Sequence, residues 1–378
     1  LADAAGGPRR VLVTGASGFI GRNLVTALRR RADLELVEAH SDTRPAEMRQ
    51  ALLGAEAVFH LAGVNRPQRE EEFELGNAQP TRALCALLRE VERRPLLVLA
   101  SSTQAALDNP YGRSKRAAEE AVLAFGRETG APARVFRLPG VFGKWCRPNY
   151  NSVVATFCHN IARGIPIEIS DPERGIELVH VDDVVQAFAG LLDGAEPPGE
   201  AGFDAVRPVY RVALGELAKT LHAFRDSRTS LEVLDLSDRL TRLLHSTYVS
   251  YLPQDGFAYG LAQRVDARGE LAELFRSSHF GQVFVSRTRA GVARGNHYHD
   301  AKVEKFIVLE GEAVIRFRSL LGGEAIEYAV SGRELRVVDI PPGYTHNITN
   351  VGSTDMLVLF WASERFDPAR PDTHAQEV

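Results

Sequence analysis

The chain is 378 residues long, 44% hydrophobic and 25% charged: too long for one ordinary core, too apolar for a disordered, collagen-like or disulfide-stapled protein. Its formal net charge of −4 gives no general positive field for a nucleic-acid backbone, and no apolar run approaches the roughly eighteen residues of a membrane span. Cys85, Cys146 and Cys158 stand at no metal or disulfide-framework spacing, and no apolar secretory segment follows a basic start. The expectation is a cytoplasmic protein of two or three domains with neither nucleic acid nor membrane as partner.

From residue 9 to about 190, short β-branched or apolar runs alternate with segments of helical period, as in a Rossmann-like doubly wound α/β fold with a parallel sheet. Strands are predicted over residues 10–14, 35–39, 57–62, 96–101 and 133–138, with a helix over 19–31 after the first. From about residue 266 the rhythm becomes all-β, with strands predicted over 282–288, 304–309, 312–318, 325–330, 335–340 and 356–361. Many short strands with Gly and Pro punctuation fit a sandwich or barrel such as a jelly roll. The Tyr-, Pro- and Gly-rich stretch 248–263 reads as the connection, giving domains of 1–254 and 255–378, and the polar tail 366–378 reads as surface chain.

Between the first strand and first helix stands Thr14-Gly15-Ala16-Ser17-Gly18-Phe19-Ile20-Gly21. Gly15 permits a tight turn, Gly18 lets the backbone approach a diphosphate, and Gly21 lets the helix pack closely, while the helix N-terminus supplies N–H donors. About twenty residues on, where a ribose diol or 2′-phosphate is read, lie Glu38, His40, Ser41, Asp42 and Arg44. Asp42 or Glu38 suits a diol and Arg44 a phosphate; the reading chosen is NADPH, with NADH left open. Tyr111 and Lys115 share one face of a predicted helix at i, i+4, where a cation beside the phenol would lower its pKa and ready it for proton transfer. Ser102, ending the preceding strand, can hydrogen-bond a substrate oxygen.

These residues, with His60-Leu61-Ala62-Gly63, Asn77 and Val179-His180-Val181-Asp182-Asp183-Val184, resemble the extended short-chain dehydrogenase/reductase family of nucleotide-sugar enzymes over residues 9–245. The resemblance implies that Ser102, Tyr111 and Lys115 assist hydride transfer at a sugar carbon. It also implies that Gly15, Gly18, Phe19, Ile20, Gly21, Arg44, Leu61, Ala62, Tyr111 and Lys115 hold the coenzyme. Sugar dehydratases of the family carry Asp-Glu after the catalytic hydroxyl residue; Thr103-Gln104 stands there instead, which removes the carboxylates for water elimination.

In the second half, Gly291, His297, His299, Glu304 and Gly311 stand at G-x5-H-x-H-x4-E-x6-G, followed by Pro341-Pro342-Gly343-Tyr344-Thr345-His346. On a strand, His297 and His299 point to one face, and Glu304 and His346 from other strands complete three imidazoles and a carboxylate suited to a divalent metal. Zinc, iron, manganese and nickel all fit that set. The motifs resemble the cupin superfamily, with Leu335 where it has a glycine, and the resemblance favours zinc.

Longer strings, among them residues 60–67, 108–112, 142–153, 246–253 and 338–346, resemble the CapF family of bifunctional capsular-polysaccharide synthesis enzymes from end to end. That resemblance implies that the cupin half epimerises C3 of UDP-2-acetamido-2,6-dideoxy-4-hexulose. The reductase half would then reduce the C4 ketone with NADPH to UDP-N-acetyl-L-talosamine, en route to UDP-N-acetyl-L-fucosamine. A homodimer is expected on the same grounds. The epimerisation base stays open among Tyr298, Lys302, Lys305 and Tyr344. Two other readings stand beside this one: a reductase or epimerase whose cupin half only dimerises or binds sugar, and a sugar-nucleotide-binding regulator.

Overall fold

The computed structural model describes residues 7–194, 203–266, 269–272, 281–364 and 369–378. Chain order begins with β1 (Arg9–Thr14), α1 (Phe19–Leu28), β2 (Leu34–Ala39), α2 (Pro45–Leu52) and β3 (Ala55–His60). A short α3 (Glu71–Phe73) runs through a π-helical turn, Glu74–Ala78, into α4 (Gln79–Glu90), then β4 (Leu96–Ser102), α5 (Pro110–Thr129), β5 (Ala133–Leu138) and β6 (Gly140–Phe142). Next come α6 (Val153–Ala162), β7 (Gly175–His180), α7 (Val181–Gly190), β8 (Phe203–Asp204), β9 (Tyr210–Ala213), α8 (Leu214–Ser230) and α9 (Arg239–Val249).

Six strands form one parallel sheet in the order β2-β1-β3-β4-β5-β8. Alternation sorts the strand residues onto two faces. Val11, Val13, Phe59, Val98 and Phe136 pack with Leu24, Val25 and Leu28 of α1 and Val184 and Phe188 of α7. Leu12, Val58, Leu97, Leu99 and Val135 pack with Leu84 and Leu88 of α4 and Val122 and Phe125 of α5. This is the doubly wound arrangement expected, and its strand order reverses between β1 and β3. There Thr14 aligns with Ala39 on one side and His60 on the other, so three carboxyl ends open a crevice together. The α5 helix starts where its sequence says: Asn109 Oδ1 accepts from the Gly112 N–H at 2.7 Å, Pro110 follows, and Gly130 ends the helix at φ 70°.

The β module continues with β10 (Ala258–Gly260), β11 (Gln263–Asp266), β12 (Gly269–Ala272), β13 (Gln282–Thr288), β14 (Ala293–Tyr298), β15 (Glu304–Glu310) and β16 (Glu312–Ser319). It ends with β17 (Ile326–Ser331), β18 (Arg336–Ile340), β19 (Tyr344–Asn350), β20 (Met356–Ala362) and β21 (His374–Ala375). Two five-stranded antiparallel sheets, β10-β18-β15-β20-β13 and β17-β16-β19-β14-β21, enclose Phe306, Val308, Ile315, Phe317, Val338, Ile340, Ile348, Val358 and Phe360, while β11 and β12 pair as a hairpin. The tail lies at the surface as expected, none of residues 369–378 being buried, and its β21 adds an edge strand to β14; residues 365–368 lie outside the described residues.

Residue 255 marks the change from α/β to all-β structure, but contacts divide the chain otherwise. One compact unit comprises residues 1–152 and 176–211, the other 153–175 and 212–378. Helices α6, α8 and α9 thus belong with the β sheets. Within that second unit Arg228 of α8 pairs with Asp339 of β18, which also takes Lys305 Nζ from β15, and all three are largely buried. The His245 ring of α9 lies 4.9 Å from Phe224 and 6.4 Å from Trp361. Among the described residues no helix is long and apolar enough to cross a membrane.

Candidate active sites

At the switch point the backbone geometry requires the glycines. Gly15 has φ 66°, and a Cβ on it would lie 2.6 Å from the Ala62 nitrogen; a Cβ on Gly21 would lie 2.1 Å from the Gly15 carbonyl oxygen. His60 ties the strand ends together, its ring nitrogens bonded to Thr14 Oγ1 at 2.7 Å and Thr81 Oγ1 at 2.9 Å. Burial, with Lys115 nearby, pushes its pKa down to about 3, so it is neutral.

A cleft of about 690 Å3 opens over these strand ends, lined by Gly15, Gly18, Phe19, Ile20, Gly21, Leu61, Ser102, Tyr111 and Lys115. Those nine predicted residues therefore share one cavity. Ala62 stands directly behind the glycine turn, its N–H 3.4 Å from Thr14 Oγ1. Arg44 is not on the wall: it sits at the N-cap of α2, where its backbone N–H donates to Glu47 Oε2 at 2.9 Å and its guanidinium pairs with Glu47. Glu38 pairs with Arg29 at 2.6 Å. Arg22, Lys115 and Arg147 line the cleft, and no carboxylate does among the described residues. That charge balance suits a diphosphate.

The Tyr–Lys electrostatics differ from expectation. Lys115 Nζ donates to the Ala100 carbonyl at 2.7 Å, and burial lowers its pKa to about 8, partly offset by Glu119. Tyr111 is instead shifted upward by burial, partly offset by a hydrogen bond with Ser102, so its phenol holds its proton at neutral pH. Asn77, in the π-helical turn, donates to Ser114 Oγ at 3.0 Å and accepts from the Val64 N–H at 2.9 Å, bracing α5 against the loop after β3.

The loop of residues 143–152 contributes lining residues that motif reading did not single out: Trp145, Cys146, Arg147, Tyr150, Asn151 and Ser152. Trp145 and Asn149 have φ 69° and 54°, the Tyr150 hydroxyl accepts from the N–H groups of Asn65 and Arg66 at 3.4 and 3.3 Å, and Arg147 lies 5.2 Å over the Tyr150 ring. A dense run of aromatic and basic residues directly after a strand was the available signal.

The second site lies between the two antiparallel sheets. His297 pairs in register with His346 on β14 and β19, and Glu304 reaches in from β15 of the opposite sheet. His299 stands just past the end of β14. A bulge at Gly295 and Asn296, with φ 105° and 54°, sets the register of the histidine pair. Candidate ligand atoms of His297, His299, Glu304 and His346 all lie within 4.8 Å of one another. Burial raises the Glu304 carboxyl, but the imidazoles of His299 and His346 beside it outweigh that and hold the group below the ordinary carboxylate range. Burial and neighbouring imidazoles push His297 down to about 4, and burial lowers His346. The lone pairs of His297 and His346 are thus available at neutral pH. The Nε2 atoms of His299 and His346 are buried without a hydrogen-bond partner and lie 3.2 and 3.7 Å from Glu304 Oε2. Two orphaned nitrogens converging on one carboxylate fit a divalent cation, and the three-nitrogen, one-oxygen set suits zinc and its neighbours.

An open parallel sheet with a glycine turn at its switch point, and a Ser, a Tyr and a Lys on the same cleft, defines a dinucleotide-binding module of the short-chain dehydrogenase/reductase kind. Residues 11–201 match the NAD dependent epimerase/dehydratase family, and residues 264–374 match the polysaccharide biosynthesis C-terminal domain. A curated relative from Pseudomonas aeruginosa, UDP-2-acetamido-2,6-beta-L-arabino-hexul-4-ose reductase, is 46% identical over 98% of this chain and 99% of its own. The crystal structure of the capsular polysaccharide assembling protein CapF from Staphylococcus aureus matches with TM-score 0.67 and 43% identity, covering 97% of this chain and 100% of that one. A CapF structure with the inhibitor 3-isopropenyl-tropolone matches with TM-score 0.63 and 39% identity over 98% of this chain and 100% of that one. The chain belongs to the CapF family, in which an epimerase/dehydratase-type module precedes a polysaccharide-biosynthesis C-terminal domain.

Proposed function

We propose that this chain is a bifunctional nucleotide-sugar enzyme: its β module epimerises C3 of UDP-2-acetamido-2,6-dideoxy-4-hexulose, and its α/β module then reduces the C4 ketone with NADPH. The product is UDP-N-acetyl-L-talosamine, a precursor of UDP-N-acetyl-L-fucosamine for a surface polysaccharide. The observation that carries this reading is end-to-end similarity to a hexul-4-ose reductase, in a chain whose Ser102, Tyr111 and Lys115 line one cleft that holds no carboxylate among the described residues.

The nicotinamide coenzyme supplies the hydride that C4 receives. Tyr111, held protonated by burial, gives its phenolic proton to O4 as the carbonyl becomes an alcohol. Ser102 orients that oxygen by hydrogen bonding. Lys115, whose ammonium pKa is near 8, stabilises the phenolate left behind and keeps its proton near the site. A C4 ketone acidifies the C3 proton, so removal and return on the opposite face must precede reduction, which abolishes the acidity. A divalent metal held by His297, His299, Glu304 and His346 supplies positive charge to the β module's site. Incubation with the UDP-ketosugar in deuterated water without NADPH should place deuterium at C3, and adding NADPH should give a C3-inverted alcohol. Reduction without deuterium at C3 would leave a reductase whose β module has no epimerase part.

The coenzyme form is proposed as NADPH on account of Arg44. Its guanidinium is 78% exposed and pairs with a carboxylate that is itself half exposed. Such an exposed surface pair contributes little, so Arg44 can exchange it for a 2′-phosphate at little cost. Arg44→Ala should lower kcat/KM for NADPH about tenfold or more, the worth of a charge-assisted hydrogen bond, and leave NADH unchanged. Equal losses with both coenzymes would remove Arg44 from this role.

A further inference from the structure

We infer that Asp372, in the C-terminal tail, is a positioning residue of the metal centre, which one carboxylate and one carbonyl pre-form; the inference rests on the reading of His297, His299, Glu304 and His346 as metal ligands. The tail is built into the module beside that centre. Its β21 pairs with β14 through His297 with Ala375 and Tyr298 with His374. The Gln376 N–H donates to the Asn296 carbonyl at 2.9 Å, and Thr345 Oγ1 donates to the Gln376 carbonyl at 2.6 Å.

Asp372 makes two kinds of contact at this point. Its carboxylate accepts three successive backbone N–H groups: Asp300 on Oδ1 at 2.7 Å, then Ala301 and Lys302 on Oδ2 at 2.9 and 2.6 Å. Those residues form the turn between His299 and Glu304, so the nest of N–H donors around one anion sets the separation of an imidazole ligand from a carboxylate ligand. The Asp372 carbonyl oxygen lies 2.5 Å from His299 Nδ1. An Nδ1–H donated there fixes the tautomer and leaves Nε2, the buried orphan 3.2 Å from Glu304 Oε2, as the free lone pair. The neighbouring Thr373 takes Lys302 Nζ at 2.9 Å, binding the turn to the tail a second time. Without this clamp the turn would have to be ordered when metal binds, at the expense of affinity.

The test compares the full chain with Asp372→Ala and Asp372→Asn, measuring Zn2+ affinity by competition with a chromophoric chelator, the visible spectrum of the Co2+ form, and the unfolding midpoint of the metal-free protein. Folded variants should bind Zn2+ about 10- to 100-fold more weakly than the parent and show an altered Co2+ spectrum. Affinity within twofold of the parent, with or without a lower metal-free midpoint, would mean that Asp372 only holds the tail down and would overturn the inference. If neither variant folds, histidine 15N NMR of the metal-free parent decides: His299 protonated on Nδ1 supports it, protonation on Nε2 overturns it. A parent chain that takes up no Zn2+ would defeat the metal reading itself, a result distinct from equal uptake by parent and variant.

Discussion

Replacing Tyr111 with phenylalanine is expected to lower ketosugar reduction by about 10²- to 10⁴-fold, the usual worth of a positioned proton donor. The side chain lies on the cleft wall with Ser102, and burial raises its pKa, so it carries a proton for an oxygen that gains negative charge. Phenylalanine keeps the ring, which packs 5.7 Å from Phe73, so the fold and coenzyme binding should persist. NADPH oxidation in the presence of the UDP-ketosugar measures the loss, and the same samples in deuterated water measure C3 exchange. Exchange should continue at the parental rate, because the proposed function assigns it to the β module. Loss of both activities in a folded variant would contradict two independent reaction centres.

The second large effect is expected at the proposed metal ligands. His346 is fully buried, its Nε2 has no hydrogen-bond partner, and it faces His297 across paired strands. His346→Ala should reduce bound metal to under about one tenth of the parental content and take with it the stabilisation that ligand binding confers, about 4 kcal/mol when metal is present at a thousand times its dissociation constant. Elemental analysis and chelator-dependent melting curves check this: chelator should lower the parental midpoint and leave the variant's unmoved. C3 exchange should disappear while NADPH oxidation on a substrate already inverted at C3 continues. A metal-depleted yet folded protein that still exchanges C3 normally would assign the metal a structural part.

What the sequence made legible was local and periodic. Gly15, Gly18 and Gly21 announce a strand–turn–helix because the close approaches at Gly15 and Gly21 exclude a Cβ, and short runs punctuated by Gly and Pro foretold a sandwich or barrel, although the ranges read as strands omitted β14 and β19. The four candidate ligands were visible because His297 and His299 keep a two-residue spacing and Glu304 and His346 sit at fixed offsets. What escaped depends on long-range partners. The loop carrying Trp145 to Ser152 becomes a wall only because Tyr150 reaches back to Asn65 and Arg66. Asp372 follows His299 by 73 positions in a polar stretch with no periodic signal, and its role shows only once β21 lies beside β14. The Tyr111 phenol likewise depends on depth: proximity to Lys115 in sequence suggested a lowered pKa, and burial reversed it.

The union of α8 and α9 with the β sheets bears on how such a protein can be rearranged. A hybrid joined at residue 255, where secondary structure changes character, would supply one parent's Arg228 and His245 to the other parent's Asp339 and Trp361. Crossovers between related chains are therefore tolerated best where both sides of that seam are inherited together, and the C-terminal unit, as a heritable block, includes helices that a reader of motifs would assign to the front.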